Sequence, residues 1–150
     1  MSNIVQDTNY NWKLRVPAGP EVDHTALIRY ISEQAKYCKA VLSMCTGTFL
    51  MHRAGLLSVK KATTHWNSLN RLKELGDVAV VEERFVRDGN VWSSAGVSAG
   101  IDLMLALIAD IAGEEIAGGV QLASEYYPVL TRYGASHKAP MAPAYLRNAV

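Results

Sequence analysis

Residues 40–54 read Ala-Val-Leu-Ser-Met-Cys-Thr-Gly-Thr-Phe-Leu-Met-His-Arg-Ala, and this stretch decides the fold. Ala40–Leu42 is a short apolar run of the kind a buried strand uses. The chain then turns through Ser43–Gly47 into a helical pattern that ends at Gly55. Cys45 stands at the corner, with the small residues Ser43 and Gly47 two places to either side. A strand-to-helix turn this sharp brings the two backbones nearly into contact, so its flanking side chains must be small. A thiol there faces the free N–H groups and positive end of the following helix, which favours thiolate. The layout is that of a nucleophile elbow with sulfur replacing the serine oxygen. Cys45 also reads as a buried cysteine packing as a small hydrophobe.

At 150 residues the chain is one domain, large enough to bury a real core. Fifteen Lys and Arg against 14 Asp and Glu, with no long run of either sign, argue against a nucleic-acid or anionic-membrane partner. Two cysteines, Cys38 and Cys45, are too few for a disulfide framework or a zinc site. Cys38 reads as an ordinary, partly buried thiol. The polar Met1–Asn11 segment has no secretory or transit character, and the longest apolar run, Leu103–Ala109, is far short of a membrane span. A reducing cytoplasm is the default compartment.

Working outward, residues 1–9 read as a loose lead. Tyr10–Val16 alternates Tyr10, Trp12, Leu14 and Val16 against Asn11, Lys13 and Arg15, as an edge strand does. Pro17–Pro20 is a turn, and Asp23 caps a helix whose apolar face is Leu27, Ile28, Ile31 and Ala35. Lys61–His65 is a short β-prone piece. A helix with Trp66, Leu69, Leu72 and Leu75 on one face follows and stops at Gly76. Val78–Val86 and Val91–Ser94 are strands joined by the hairpin signal Arg87-Asp88-Gly89-Asn90. Ser98 opens a helix to about Ala112 that is apolar nearly all round, hence buried in a core or a subunit interface. A last helix runs from Glu114 towards Tyr126, and residues 128–150 form a mostly irregular tail.

Strands alternating with helices predict an α/β domain with a mostly parallel sheet, in which sites gather at the carboxyl ends of strands. Three corners fall there: Ala18-Gly19, Cys45-Thr46 and Gly96-Val97. No cofactor is expected, because the glycine-rich corners lack both a Walker lysine and dinucleotide spacing. Asp102 reads as an interior hydrogen-bonding group. His24 and His52 have no partners at metal-ligand spacing.

Five motifs in order carry a resemblance. They are Ser43-Met44-Cys45-Thr46-Gly47, Ala54-Gly55-Leu56-Leu57, Ala62-Thr63-Thr64-His65-Trp66, Arg84 to Asn90, and Ala95 to Asp102. Together they resemble the ThiJ/PfpI superfamily, which is related to class I glutamine amidotransferases. The branch is similar to isocyanide hydratase, because Cys-Thr-Gly stands where the protease-like branch has Cys-His-Gly. The same fold also serves as the sensor half of some AraC-type regulators. The resemblance implies a flavodoxin-like three-layer sandwich and a homodimer or larger homo-oligomer acting on a small molecule.

By the same resemblance Cys45 is the reactive cysteine and His65 matches a histidine found near it in several branches. Ala18 and Gly19 match a Gly-Gly pair whose N–H groups help form an oxyanion site. Thr46 is a pocket hydroxyl and a second N–H donor, and Val97 and Ser98 start a helix packed beside the cysteine. Family members begin with a strand–helix–strand unit whose first loop carries an Asp or Glu that engages the cysteine. This sequence is expected to lack that unit and its acid, leaving the edge of Tyr10–Val16 to be covered by the N-terminal arm or by another chain. Two functions follow: a cysteine-dependent hydratase or hydrolase of small molecules, or a non-catalytic binding or sensing module.

Overall fold

The computed structural model describes residues 3–6, 12–15, 25–128 and 133–147. Its first elements are β1 (Asn3–Gln6) and β2 (Trp12–Arg15), an antiparallel pair with Asn3 opposite Arg15 and Gln6 opposite Trp12. The loose lead expected over residues 1–9 therefore contains a strand. Among the described residues β2 pairs with β1 alone, so it is not an edge of the main sheet. Tyr10, Val16, the Pro17–Pro20 turn and Asp23 lie outside the described residues. Helix α1 (Thr25–Ala35) follows, with Ala35 buried and Ile28 and Ile31 half-buried.

The sheet that positions the site has the order β3-β7-β6. Strand β3 (Val41–Met44) runs parallel to β7 (Val91–Ser94), with Val41 opposite Val91 and Met44 opposite Ser94. Strand β6 (Phe85–Asp88) pairs antiparallel with β7, and all four residues of β7 are buried between its neighbours. A second, parallel pair joins β4 (Lys61–Ala62) to β5 (Ala79–Val80). The architecture is the expected flavodoxin-like α/β sandwich, but its sheet is mixed. The reason is local: the tight Gly89-Asn90 turn reverses the chain, so β6 can meet β7 only antiparallel.

Two predicted strands are shorter than expected. Val78–Val86 divides into β5 and β6 because the chain changes partner midway. Val81 N–H still donates to Ala62 O (2.9 Å), the exposed Glu82 and Glu83 follow, and Ala95 N–H donates to Arg84 O (2.9 Å). Strand β4 stops at Ala62 because Thr63 and Thr64 turn their polar groups to other partners, described below.

Helices α2 (Thr48–Arg53) and α3 (Leu69–Lys73) end as anticipated, with Gly55 and Gly76 at φ +75° and +82° beyond them. Met51 of α2 and Leu72 of α3 join Leu57, Ala62 and Val91 in the core, with Val41, Phe49, Leu56, Val78 and Val80 packed around them. Helix α4 (Ala99–Ala112) is not buried all round within the chain, which rules out the core alternative and leaves that of a subunit interface. Ala99, Gly100 and Leu103 are buried, whereas Ile101, Met104 and Ile111 are 43%, 47% and 66% exposed. Helix α5 (Glu114–Ala123) packs against α4. The described part of the tail holds a 3-10 turn at Ser136–Lys138 and the short α6 (Ala144–Arg147). Among the described residues no helix is long and apolar enough to cross a membrane.

Val59, 90% exposed, sits at φ +55°, a conformation that disfavours any β-branched residue. Its N–H donates to Asp77 O at 2.8 Å, which fixes the turn. Val59→Gly is expected to raise the urea midpoint by the equivalent of about 1 kcal/mol, as left-handed strain is relieved. An unchanged or lower midpoint in equilibrium unfolding would contradict the strain.

Candidate functional site

Parallel pairing brings the carboxyl ends of β3 and β7 side by side, and two of the expected corners meet there. Cys45 follows β3 directly and opens a 3-10 turn, Cys45–Gly47, that runs into α2. Its φ is +56°, in the left-handed region that costs an L-residue about 1–2 kcal/mol. The peptide is tied on both sides. Its N–H donates to Ala95 O at 2.9 Å, extending the β3–β7 ladder by one step. Its carbonyl accepts from Thr64 Oγ1 at 2.8 Å and from Thr48 Oγ1 at 3.1 Å.

These hydroxyls belong to a buried layer beneath the corner. Ser43, Thr48, Thr63, Thr64, Ser93 and Ser94 are all buried. Thr48 Oγ1 lies 3.0 Å from Ser43 Oγ and 2.9 Å from Thr63 O. One hydroxyl carries one proton, so Thr48 shares it between the Thr63 and Cys45 carbonyls and accepts from Ser43. Thr63 N–H donates to Ser93 Oγ at 2.9 Å, and Thr63 Oγ1 donates to Glu83 O at 3.2 Å. Among the described residues no buried side-chain polar atom is left without a partner. The sequence pattern alone does not single out this layer. Its signal is the Thr63-Thr64 and Ser93-Ser94 pairs, hydroxyl residues inside otherwise apolar strands.

The remaining predicted site residues spread around the corner. Cys45 is half-buried, and among the described residues its sulfur makes no hydrogen bond. His65 does not pair with it: its Nδ1 accepts the Asn67 N–H at 3.3 Å, and its ring packs 5.6 Å from that of Trp66. The His65 ring borders Gly96, with Cδ2 3.7 Å from the place a Gly96 Cβ would occupy. Thr46 is exposed and lines a cavity of about 360 Å³ with Gly47, Phe49, Leu50, Arg53 and Arg71. Val97 is exposed. Ala18 and Gly19 lie outside the described residues. Cys38 is exposed rather than partly buried.

Ser98 precedes α4 but makes no side-chain cap; its Oγ accepts from Arg84 Nη2 at 3.3 Å instead. Arg84 Nε also donates to Asp102, whose second oxygen accepts from Tyr126 OH at 3.0 Å. Asp102 is thus the hydrogen-bonding group anticipated, joining the residue before β6, α4 and the segment after α5. Burial works to lower the Arg84 pKa, but its bonds to Asp102 and Tyr126 outweigh that and hold it above the ordinary guanidinium value. Burial raises the Tyr145 phenol above its usual value, against the pull of the Arg84 charge. Gly100, the second residue of α4, meets Met44: a Cβ there would lie 2.3 Å from the Met44 sulfur, so the helix start and the β3 end are in close contact. Among the described residues no three His, Cys, Asp or Glu side chains gather to hold a metal.

A strained cysteine between a strand and a helix, at the carboxyl edge of parallel strands, defines an α/β sandwich with a corner cysteine. The DJ-1/PfpI family matches residues 17–110, and the chain belongs to that family. It is 41% identical over 110 residues to isonitrile hydratase of Pseudomonas putida, a match covering 73% of this chain and 48% of that protein. It is 32% identical over 127 residues to the HTH-type transcriptional regulator CdhR of Pseudomonas aeruginosa, covering 75% of this chain and 37% of the regulator. Among solved structures, a ThiJ/PfpI family protein from Pseudomonas syringae superposes with a TM-score of 0.68 at 34% identity, over 81% of this chain and 49% of that one. The chain spans about half the length, or less, of these relatives.

Thr48→Val keeps the volume but removes the proton shared by two carbonyls and the acceptor for Ser43. The loss is expected to cost about 1–3 kcal/mol in urea unfolding and to slow labelling of Cys45 by a thiol reagent. Wild-type stability and labelling in this variant would remove the hydroxyl layer from its supporting role.

Proposed function

We propose that the chain performs cysteine-dependent hydration or hydrolysis of a small molecule, in the manner of isocyanide hydratase, with Cys45 as the nucleophile of a strand-to-helix elbow. One observation carries this reading. An L-residue is held at φ +56°, where glycine would sit without strain, and its sulfur is engaged by no hydrogen bond among the described residues. Strain of this kind persists where the surroundings over-determine it, and it clusters at functional sites. The 41% identity to isonitrile hydratase supports the same chemistry.

In this reading the Cys45 thiolate adds to the terminal carbon of an isocyanide, and a proton delivered to that carbon gives a thioimidate. Water then adds to the same carbon, the C–S bond breaks, and the N-substituted formamide leaves with the thiol regenerated. His65 is the proton carrier closest in sequence to the Thr64–Cys45 contact. With Nδ1 occupied as an acceptor, its Nε2 bears the proton of the neutral ring. The N–H groups of Ala18, Gly19 and Thr46 would stabilise developing negative charge, with Val97 and Ser98 forming a wall of the site. The work would proceed in a reducing cytoplasm, without metal or cofactor.

The test is direct. Purified protein incubated with a panel of aryl and alkyl isocyanides is expected to yield the corresponding formamides, and Cys45→Ser is expected to abolish turnover. A specific observation favours a second reading, a binding or sensing module: no described side chain hydrogen-bonds the thiol to manage protons, and a similar chain is a transcriptional regulator. Normal thiol labelling with no formamide from any isocyanide would select that alternative.

We also propose a homodimer. The exposed Ile101, Met104 and Ile111 make an apolar face on α4 of the kind that interfaces cover. Sedimentation at micromolar concentration is expected to give twice the chain mass, and Met104→Glu to shift it to one; a clean wild-type monomer would end this proposal.

A further inference from the structure

The cavity bordered by Thr46, Gly47, Phe49, Leu50, Arg53 and Arg71 is not lined by Cys45, and the proposed chemistry makes no use of its two guanidinium groups. Its charge is one-sided: among the described residues its lining holds two arginines and no carboxylate. Elsewhere Arg29 pairs with Glu33, Arg84 with Asp102 and Arg87 with Asp110. Among the described residues Arg53 and Arg71 have neither an ion pair nor a hydrogen bond. Arg71 is nevertheless placed: its guanidinium carbon stands 4.5 Å from the centre of the Phe49 ring. Stacking occupies one face of the guanidinium and leaves the in-plane N–H donors free.

We propose that this cavity binds a small organic carboxylate with an aromatic or branched apolar body. The free edge of Arg71 matches a carboxylate in fork geometry, and Arg53 supplies the second positive charge. Half-buried Phe49 and Leu50 give the body of the ligand an apolar surface. A bare inorganic oxyanion would gain nothing from that surface, which is why a carboxylate on a hydrocarbon frame fits better. The volume of about 360 Å³ suits a ligand of benzoate size. The site stands independently of any reaction at the thiol, although Thr46 and Gly47 connect it to the Cys45 turn.

Calorimetric titration of the whole chain with benzoate, benzamide and inorganic phosphate tests the proposal. Benzoate is expected to bind one per chain and more tightly than either other probe. Arg53→Gln and Arg71→Gln, both exposed positions whose folding is checked by circular dichroism, are each expected to weaken benzoate by about tenfold or more. Cys45→Ser is expected to bind benzoate as the wild type does, which separates this site from the thiol chemistry. The proposal is overturned by benzamide or phosphate binding as tightly as benzoate, by undiminished affinity in both arginine variants, or by no benzoate binding at millimolar concentration.

Discussion

The Cys45 carbonyl accepts from the Thr64 hydroxyl and shares the Thr48 proton, while its N–H reaches across to Ala95, and the functional end of the molecule hangs on that arrangement. A peptide in the left-handed region relaxes unless neighbours on both sides oppose it. Here the neighbours come from four places in the chain: Ala95 after β7, Thr64 after β4, Thr48 in α2 and, behind Thr48, Ser43 in β3. Each is buried, so each bond forms where the alternative is an unsatisfied polar group costing about 1–3 kcal/mol. The strain is thus held by desolvation rather than by rigidity of the turn itself.

The same bonds explain why the elements around the corner are short. Thr63 and Thr64 leave the β4 ladder to serve the corner, and β4 ends after Ala62. Along the β6–β7 hairpin, Arg87 stacks 4.6 Å above the buried Trp92 and pairs with Asp110, while Arg84 joins Asp102 and Ser98. The hairpin is therefore fastened to α4 by two arginines spaced three residues apart. That leaves the β7 end, which carries Ala95, in a fixed position against Cys45.

Much of this was legible in the sequence. The apolar run into Ser-Met-Cys-Thr-Gly marked β3 and the turn, Gly55 and Gly76 marked helix ends, and Asp88-Gly89-Asn90 marked the hairpin, because each is a local steric requirement. Motif order alone also carries the likeness to the family. Less accessible were features set by partners distant in sequence. Nothing local says that Glu82-Glu83 is where one strand changes into two, or that Ser98 serves Arg84 instead of capping α4. The exposure of Ile101 and Ile111 was legible only as one of two alternatives: an apolar pattern all round a helix fits a core or an interface, and does not say how much of the helix its own chain covers. The hydroxyl layer was written plainly as Thr-Thr and Ser-Ser, yet short polar residues in strands draw no attention until their partners are known.

The contact between His65 and Trp66 makes the corner visible to light. Trp92 is buried beneath Arg87, whereas Trp66 is half-buried and its ring lies 5.6 Å from the imidazole that borders Gly96. A molecule that settles beside Gly96 would therefore alter the intrinsic fluorescence of Trp66 without any label having been attached.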